Sequence, residues 1–386
     1  MKTFECFRGL AALMLMCAGA FLLSCGEKPL DSDEDADFKA VQPSGYTDLS
    51  TLSTANCYIL NRSGSYCIAA VKGNDSEAWL TKAESAEILW ETFGTSTVPK
   101  DGDLIKSVSY KDGYIAFQTA DTFKEGNAVV AAKDVEGNIL WSWHIWMTDQ
   151  PQEHVYNNNA GTMMDRNLGA VSAVPGDVGA LGLLYQWGRK DPFLNAVSMD
   201  KQAESTISWP FAVPAYPWNG TIEYSVANPT TFICVSYVKD NYDWYYTGSS
   251  STDDTRWQSE KTMYDPCPAG WRVPDGGSEG IWCKAGIPTG GGFPYPESDF
   301  ACAGITIPAE YCGEDAWYPA AGSISAVDGT FVEVGRDGMY WSVTPCGRTD
   351  VYGFNFYYYM KNTGYVYHSP MFTRATAASV RCSKEQ

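Results

Sequence analysis

A chain of 386 residues with 46 acidic and 27 basic side chains carries a formal charge of −19 and has no Lys/Arg-rich segment. That balance excludes nucleic acid as a partner and excludes a purely electrostatic hold on an anionic membrane. The length is two domains' worth of chain, with ample material for sizeable cores.

The first element is a leader. Lys2 and Arg8 precede an apolar run from Leu10 to Leu23, followed by small Ser24 and Cys25. This order predicts a secretory signal over 1–24, too short for a membrane span of about 20 residues. Leu22-Leu23-Ser24-Cys25 resembles a bacterial lipobox, which implies cleavage before Cys25 and acylation (palmitate) of its thiol and new amino terminus. An incidental cysteine behind an ordinary signal is the alternative, and Gly26 with the polarity switch after it argues against that. The mature chain then has 362 residues (386 − 24).

Residues 25–45 form an acidic linker carrying Asp31, Asp33, Glu34, Asp35 and Asp37. A calcium loop would need Gly at the sixth position and Glu at the twelfth, where Ala36 and Gln42 stand. A self-repelling solvated tether is the simpler account. The run also resembles the surface-export signal of Bacteroidetes lipoproteins. No second apolar stretch nears membrane-spanning length, so the expected location is the cell surface, held to outer-membrane lipid through Cys25.

Residues 46–150 read as a β-sandwich of the Ig-like kind. Strand-like segments recur at Cys57–Leu60, Tyr66–Val71, Ala86–Trp90, Ile105–Tyr110, Tyr114–Gln118, Ala128–Ala132 and Ile139–Met147. Lys111-Asp112-Gly113 and Glu136-Gly137-Asn138 are hairpin turns. Cys57 and Cys67 lie equidistant from Arg62 around Asn61-Arg62-Ser63-Gly64, so a hairpin there predicts a Cys57–Cys67 disulfide. Trp141, Trp143, His144 and Trp146 crowd the last strand. They are either an aromatic ligand face or, as favoured here, two opposite packing faces, with His144 and Trp146 turned to the neighbouring domain.

Nine cysteines remain once Cys6, Cys17 and Cys25 are set aside from the twelve, and the chain has three histidines. No C-x-x-C or clustered ligand set occurs, so no metal and no cofactor is expected, and disulfides are the better account of the cysteines.

Residues 151–386 are denser in Gly, Pro, Trp and Tyr and read as an α+β, mostly-β domain. Helices are expected after an Asp177 cap, through Leu181, Leu184 and Tyr185, and around Glu279–Ala285. Five phrases follow in order: Met164-Asp165-Arg166-Asn167-Leu168-Gly169, Tyr185-Gln186-Trp187-Gly188-Arg189, Cys267-Pro268-Ala269-Gly270-Trp271-Arg272-Val273-Pro274, Tyr340-Trp341-Ser342 and Ala378-Ser379-Val380-Arg381-Cys382. Together they resemble the Fibrobacter succinogenes major paralogous domain, related in fold to C-type-lectin-like and formylglycine-generating-enzyme-like domains. Thr54-Ala55-Asn56-Cys57-Tyr58-Ile59 with Ala70-Val71-Lys72-Gly73-Asn74 resembles modules of Bacteroides fimbria-associated lipoproteins. The resemblance implies a Cys267–Cys382 disulfide between the opening of a helix and the last strand. Cys302 and Cys312 are close enough to clip a loop, Cys283 is matched with Cys346, and Cys234 is then left free.

Catalytic signatures are incomplete. Gly276-Gly277-Ser278-Glu279-Gly280 has the form of a nucleophile elbow, but the one downstream histidine, His368, lies in a Tyr-rich segment and no alternating β/α pattern builds the required sheet. The close cysteine pair of formylglycine-generating enzymes is missing. The calcium-dependent sugar motifs of lectins are not matched by Val273-Pro274-Asp275 or Pro217-Trp218-Asn219-Gly220. Aromatic residues remain as binding candidates. Phe354–Tyr359 reads mostly as core. Trp244, Tyr245, Tyr246 and Trp257 interleave with Asp240, Asp243, Asp253 and Asp254 in a loop-rich stretch, and are either ligand contacts or core.

The expected protein is a surface lipoprotein with a non-catalytic binding role: an adhesin, or a fimbrium tip or accessory subunit, recognising a glycan or a host or bacterial surface protein. An enzyme (a hydrolase or a formylglycine-generating-enzyme relative) and a purely structural pilus or envelope subunit are the alternatives.

Overall fold

In the computed structural model the described residues are 38–198, 201–236, 241–249, 252–294, 303–360 and 363–386. The leader, Cys25, the acidic residues of 31–37, Asp240 and Cys302 lie outside them. The chain is mostly β, with three short α-helices.

All seven strands expected before residue 150 are present, preceded by one more. They are β1 (Thr47–Asp48), β2 (Cys57–Leu60), β3 (Ser65–Ala69), β4 (Ser85–Thr92), β5 (Ile105–Lys111), β6 (Tyr114–Thr119), β7 (Gly126–Lys133) and β8 (Ile139–Met147). β1-β3-β6-β5 and β2-β8-β7-β4 are separate four-stranded sheets. Asp112 and Gly113 turn β5 into β6 with φ of 48° and 88°, a two-residue turn that needs positive φ twice. The sheets share one core, with Ile68, Ile115 and Phe117 from the first and Val130, Trp143 and Ile145 from the second.

Two consequences follow for the sequence reading. Cys57 and Cys67 form no disulfide; both are buried free thiols. β2 pairs in parallel with β8, placing Cys57 opposite His144, while β3 pairs with β6 in the other sheet. The segment 61–64 therefore crosses between sheets instead of folding back, and the two sulfurs never face each other. The division of β8 is as expected: Trp141 and Trp143 lie in the inter-sheet core, whereas Trp146 packs with Met164, Leu168 and Tyr185.

After residue 150, β9 (Glu153–Tyr156) and β10 (Gly161–Met164) form a sheet with the strands Trp271–Arg272 and Ser383–Lys384, in which Ser383–Lys384 lies between Trp271–Arg272 and β10. A nine-stranded sheet centres on Asp337–Cys346 and Asp350–Met360; β11 (Leu184–Gln186) joins it through Ala377–Ser379. Phe354 and Phe356 are buried and Tyr357 is half-buried, the alternation of a strand. The helices are α1 (Ile222–Ala227), α2 (Ile281–Lys284) and α3 (Ala309–Cys312). The helix expected through Leu181, Leu184 and Tyr185 is instead one 3₁₀ turn at Val178–Ala180, capped by Asp177 through Gly179 N. Gly182 ends it: φ is +75°, and a Cβ there would come within 2.8 Å of the Leu168 carbonyl oxygen.

The five sequence phrases meet in one place. Leu168 N donates to the Val380 carbonyl at 2.8 Å, Trp341 Nε1 to Tyr185 O at 2.6 Å and Trp187 Nε1 to Ser342 O at 3.0 Å. Arg381 Nη2 donates to Asn167 Oδ1 and to Trp317 O. Cys267 and Cys382 are disulfide-bonded with Cα atoms 6.0 Å apart. Cys283, Cys312 and Cys346 are free thiols, so no Cys283–Cys346 bond forms.

The two-sheet region is docked on this knot. Asn56 Nδ2 donates to the carbonyls of Met263 and Asp265 at 2.7 and 2.8 Å, and Asn74 Nδ2 to that of Lys261 at 2.8 Å. Gly73 allows the approach, because a Cβ there would lie 2.2 Å from Met263 O. The phrases around Asn56 and Gly73 are thus docking residues. Cys57, Trp90, Val129 and Trp146 share one cluster with Cys267, Trp341 and Cys382, and Lys39–Gln386 is one compact unit.

Candidate functional site

The aromatic residues singled out from the sequence are mostly inside. Trp244 is 0 %, Trp257 1 % and Tyr246 8 % exposed, and Tyr245 is half-buried. Trp244 Nε1 donates to the Trp187 carbonyl, and Trp257 Nε1 to that of Tyr264, both at 2.8 Å. Between them lies Arg256, whose guanidinium is 4.8 Å from the ring centres of both Trp187 and Trp244 and ion-paired to buried Asp243. Burial pushes the Tyr245 phenol up, helped by the carboxylate of Asp253 and opposed by the Arg256 guanidinium. The assignment of Trp244, Tyr246 and Trp257 as ligand contacts is corrected: all three are buried, Trp244 against the Arg256 guanidinium and Trp257 edge-on against Trp187, which leaves no face for a ligand. The acidic residues between them misled, since Asp243 serves the interior.

The exposed rings are their neighbours. Among the described residues every exposed Phe, Tyr or Trp lies between 211 and 242: Phe211, Tyr216, Trp218 and Tyr242. Of the fourteen tryptophans only Trp218 is exposed, at 66 %. Tyr216 and Trp218 have nearly parallel planes (6°) with centroids 6.0 Å apart, and Tyr224 of α1 meets Trp218 edge-on at 5.8 Å.

The turn beneath them is rigid for reasons visible in Tyr216-Pro217-Trp218-Asn219-Gly220. Asn219 is fully buried; its Oδ1 accepts from Tyr216 N at 2.6 Å and its Nδ2 donates to Pro214 O at 3.0 Å. Asn219 N and Gly220 N both donate to Tyr216 O. Gly220 O accepts from Tyr246 N at 2.7 Å, and a Cβ on Gly220 would lie 2.8 Å from the Tyr246 backbone. Trp244 and Tyr246 are therefore the floor on which Tyr216 and Trp218 are mounted. Sequence reading singled out Trp244, Tyr245, Tyr246 and Trp257 and missed Tyr216 and Trp218. The available signal was a proline on either side of Tyr216 with Asn-Gly behind, a turn holding rings where no alternation demands them.

One cluster has the order of a cysteine-nucleophile enzyme. Cys57 Sγ is 3.4 Å from His144 Nδ1, and His144 Nε2 is 2.8 Å from Asn127 Oδ1. Its electrostatics run the other way. Burial pushes the Cys57 thiol far up and the His144 imidazole down to about 3, so both are neutral at pH 7. Such a pair holds no thiolate, and all three side chains are shut between the two regions at 1–2 % exposure. Ser278 of the elbow-like phrase sits in a 3₁₀ turn, exposed, leading into α2. Among the described residues no group of three His, Cys, Asp or Glu side chains is placed to hold a metal, and no helix is long and apolar enough to cross a membrane.

Compared with protein-family models, with curated proteins and with solved structures, the chain finds no match.

Proposed function

We propose that this chain is a lipoprotein anchored through Cys25 at the outer surface of the cell, with an Ig-like β-sandwich over 46–150 and a lectin-like domain over 151–386. Its role on this reading is non-catalytic binding of a glycan or of a host or bacterial surface protein, as an adhesin or as the tip or accessory subunit of a fimbrium. The lipobox, the acidic tether and the five ordered phrases support the class. The observation that carries the binding role is the pair of exposed rings, Tyr216 and Trp218, on a pre-formed turn, with Phe211 and Tyr242 the other exposed rings among the described residues. A rigid aromatic surface loses little entropy when a partner covers it.

Binding of the full chain to a glycan array and to whole cells, set against Tyr216→Ala/Trp218→Ala, tests this reading. A folded variant that loses binding supports it, and undiminished binding removes the site. Cys25→Ala should move the protein from the membrane to the soluble fraction; an unchanged distribution removes the anchor.

A further inference from the structure

A cleft of about 150 Å³ opens beside Phe211. Four rings wall it: Phe193, Trp209, Phe232 and Phe331. The first three pack on one another, with Phe193 5.3 Å from Phe232 and 6.1 Å from Trp209 between centroids. Pro210 and Ala212 line the rim, and Phe211 between them is 95 % exposed. Gly329 packs directly against Ala212 in the lining: its φ is +74°, and a Cβ there would sit 2.5 Å from that of Ala212. From Ala212 the chain runs directly through Val213 and Pro214 into the Tyr216–Trp218 turn.

Two polar side chains also line the cleft, Gln202 and Thr230, and neither has a hydrogen-bond partner among the described residues. No charged side chain lines it. These facts narrow the occupant. A purely apolar group would strip water from the Gln202 amide and the Thr230 hydroxyl and return no hydrogen bond. A carboxylate or sulfate would be desolvated without a counter-charge, inside a protein of net charge −19. A cavity of about 150 Å³ admits one six-membered ring. An uncharged pyranose meets all three conditions, with C–H faces for the rings and hydroxyls for the amide and the threonine.

We infer that this cleft holds one uncharged sugar ring of a neutral oligosaccharide whose further residues run toward Tyr216 and Trp218. The inference rests on the binding reading above and adds the ligand class and a second contact point.

Titration of the full chain with cellohexaose, maltohexaose, mannohexaose and laminarihexaose, followed by tryptophan fluorescence, tests it, with oligogalacturonate as the charged control. Saturable binding of at least one neutral probe is expected, and Gln202→Leu/Thr230→Val should weaken it about tenfold or more with an unchanged melting temperature. If Gln202→Leu/Thr230→Val changes nothing while Tyr216→Ala/Trp218→Ala abolishes binding, the cleft inference falls and the binding surface stands. If neither double variant weakens a probe that binds, both fall. Oligogalacturonate binding as tightly as the neutral probes, or no neutral probe binding at millimolar concentration, overturns the sugar assignment. Tighter binding of N-acetylphenylalaninamide by Gln202→Leu/Thr230→Val than by the native chain would identify an apolar side chain as the occupant and overturn it as well.

Discussion

The two-sheet region and the region after residue 150 satisfy their backbones in different ways. Before 150, peptide groups pair with each other along long ladders, and the core is filled by aliphatic and indole side chains. After 150, the ladders of the nine-stranded sheet are joined by long irregular stretches, in which buried side chains do what strands do elsewhere. Gln186 Nε2 donates to the carbonyls of Ile233 and Ala375, and Arg189 to those of Thr231, Ser225, Asn228 and Pro229 just beyond and within α1. Lys261 Nζ reaches the carbonyls of Cys267 and Trp271. A buried carbonyl without a partner costs about 1–3 kcal/mol, so an irregular interior needs long donors at fixed places. That is the physical content of phrases such as Tyr-Gln-Trp-Gly-Arg.

The contrast can be broken by experiment, beginning with the disulfide. Cys267–Cys382 closes a loop of 115 residues, which restricts the unfolded chain by about 5 kcal/mol. Cys267→Ser/Cys382→Ser should lose about that much in denaturant unfolding, with hydrogen exchange rising first after residue 150. Equal loosening of β2–β8 would show that the two regions do not differ in what holds them.

Asp243→Ala comes next. It would leave Arg256 and Arg374 facing a missing carboxylate at 0 % exposure and should cost about 3–5 kcal/mol. Ile145→Val in the other core should cost about 0.5–1.5 kcal/mol. Comparable losses from the two variants in urea titrations would erase the distinction between polar and aliphatic interiors.

Asn219→Ala sharpens it at the binding surface. Tyr216 N and Pro214 O lose their partner, so about 1–3 kcal/mol of stability should go, and affinity for any ligand of the Tyr216–Trp218 turn should fall with it. Retained affinity in that variant would mean that the turn need not be rigid.

The smallest expected effect is common to both regions. Glu91 before 150 and Asp337 after it are each pushed up to about 7, chiefly by burial, with neighbouring acids adding to it. Each carboxyl stays protonated in the folded protein after its unfolded counterpart has ionised. The folded state then binds more protons at these two groups, and their contribution to stability declines as pH rises from about 4 to 7, against the opposite contribution of His144, which is kept neutral by burial. In melting curves taken at a series of pH values, the stability advantage of the native chain over Glu91→Gln should shrink as pH rises from about 4 to 7; an advantage that grows with pH would contradict the Glu91 assignment.

How much of this was legible follows from the same contrast. Alternation and turn residues gave every strand from Cys57 to Met147, and the two faces of β8, because ladder-bound chain must alternate. They did not give partners: symmetry about Arg62 suggested a hairpin, but β2 belongs with a strand more than seventy residues later. After 150, period was a poor guide. Leu181, Leu184 and Tyr185 have helical spacing, yet Gly182 is pressed against Leu168 and the chain continues as strand. Trp244 and Trp257 lacked alternation and were left open between ligand contact and core; in an irregular interior burial needs no alternation. Cys267–Cys382 was reached through resemblance, since no local pattern pairs cysteines so far apart.

The pairing of β10 has a consequence for biosynthesis. Met163 lies opposite Ser383, so 220 residues (383 − 163) separate the two partners. β10 can pair at once with β9, but its other edge stays open until the last residues of the chain have arrived. The two-sheet region needs nothing beyond residue 147 for its own ladders and can close early. Its outward face, with Trp146 and Cys57, is then a finished surface awaiting the later segments. The first half thereby serves as a template for the second, and a chain folded only this far presents bare apolar surface until Ser383 takes its place beside Met163.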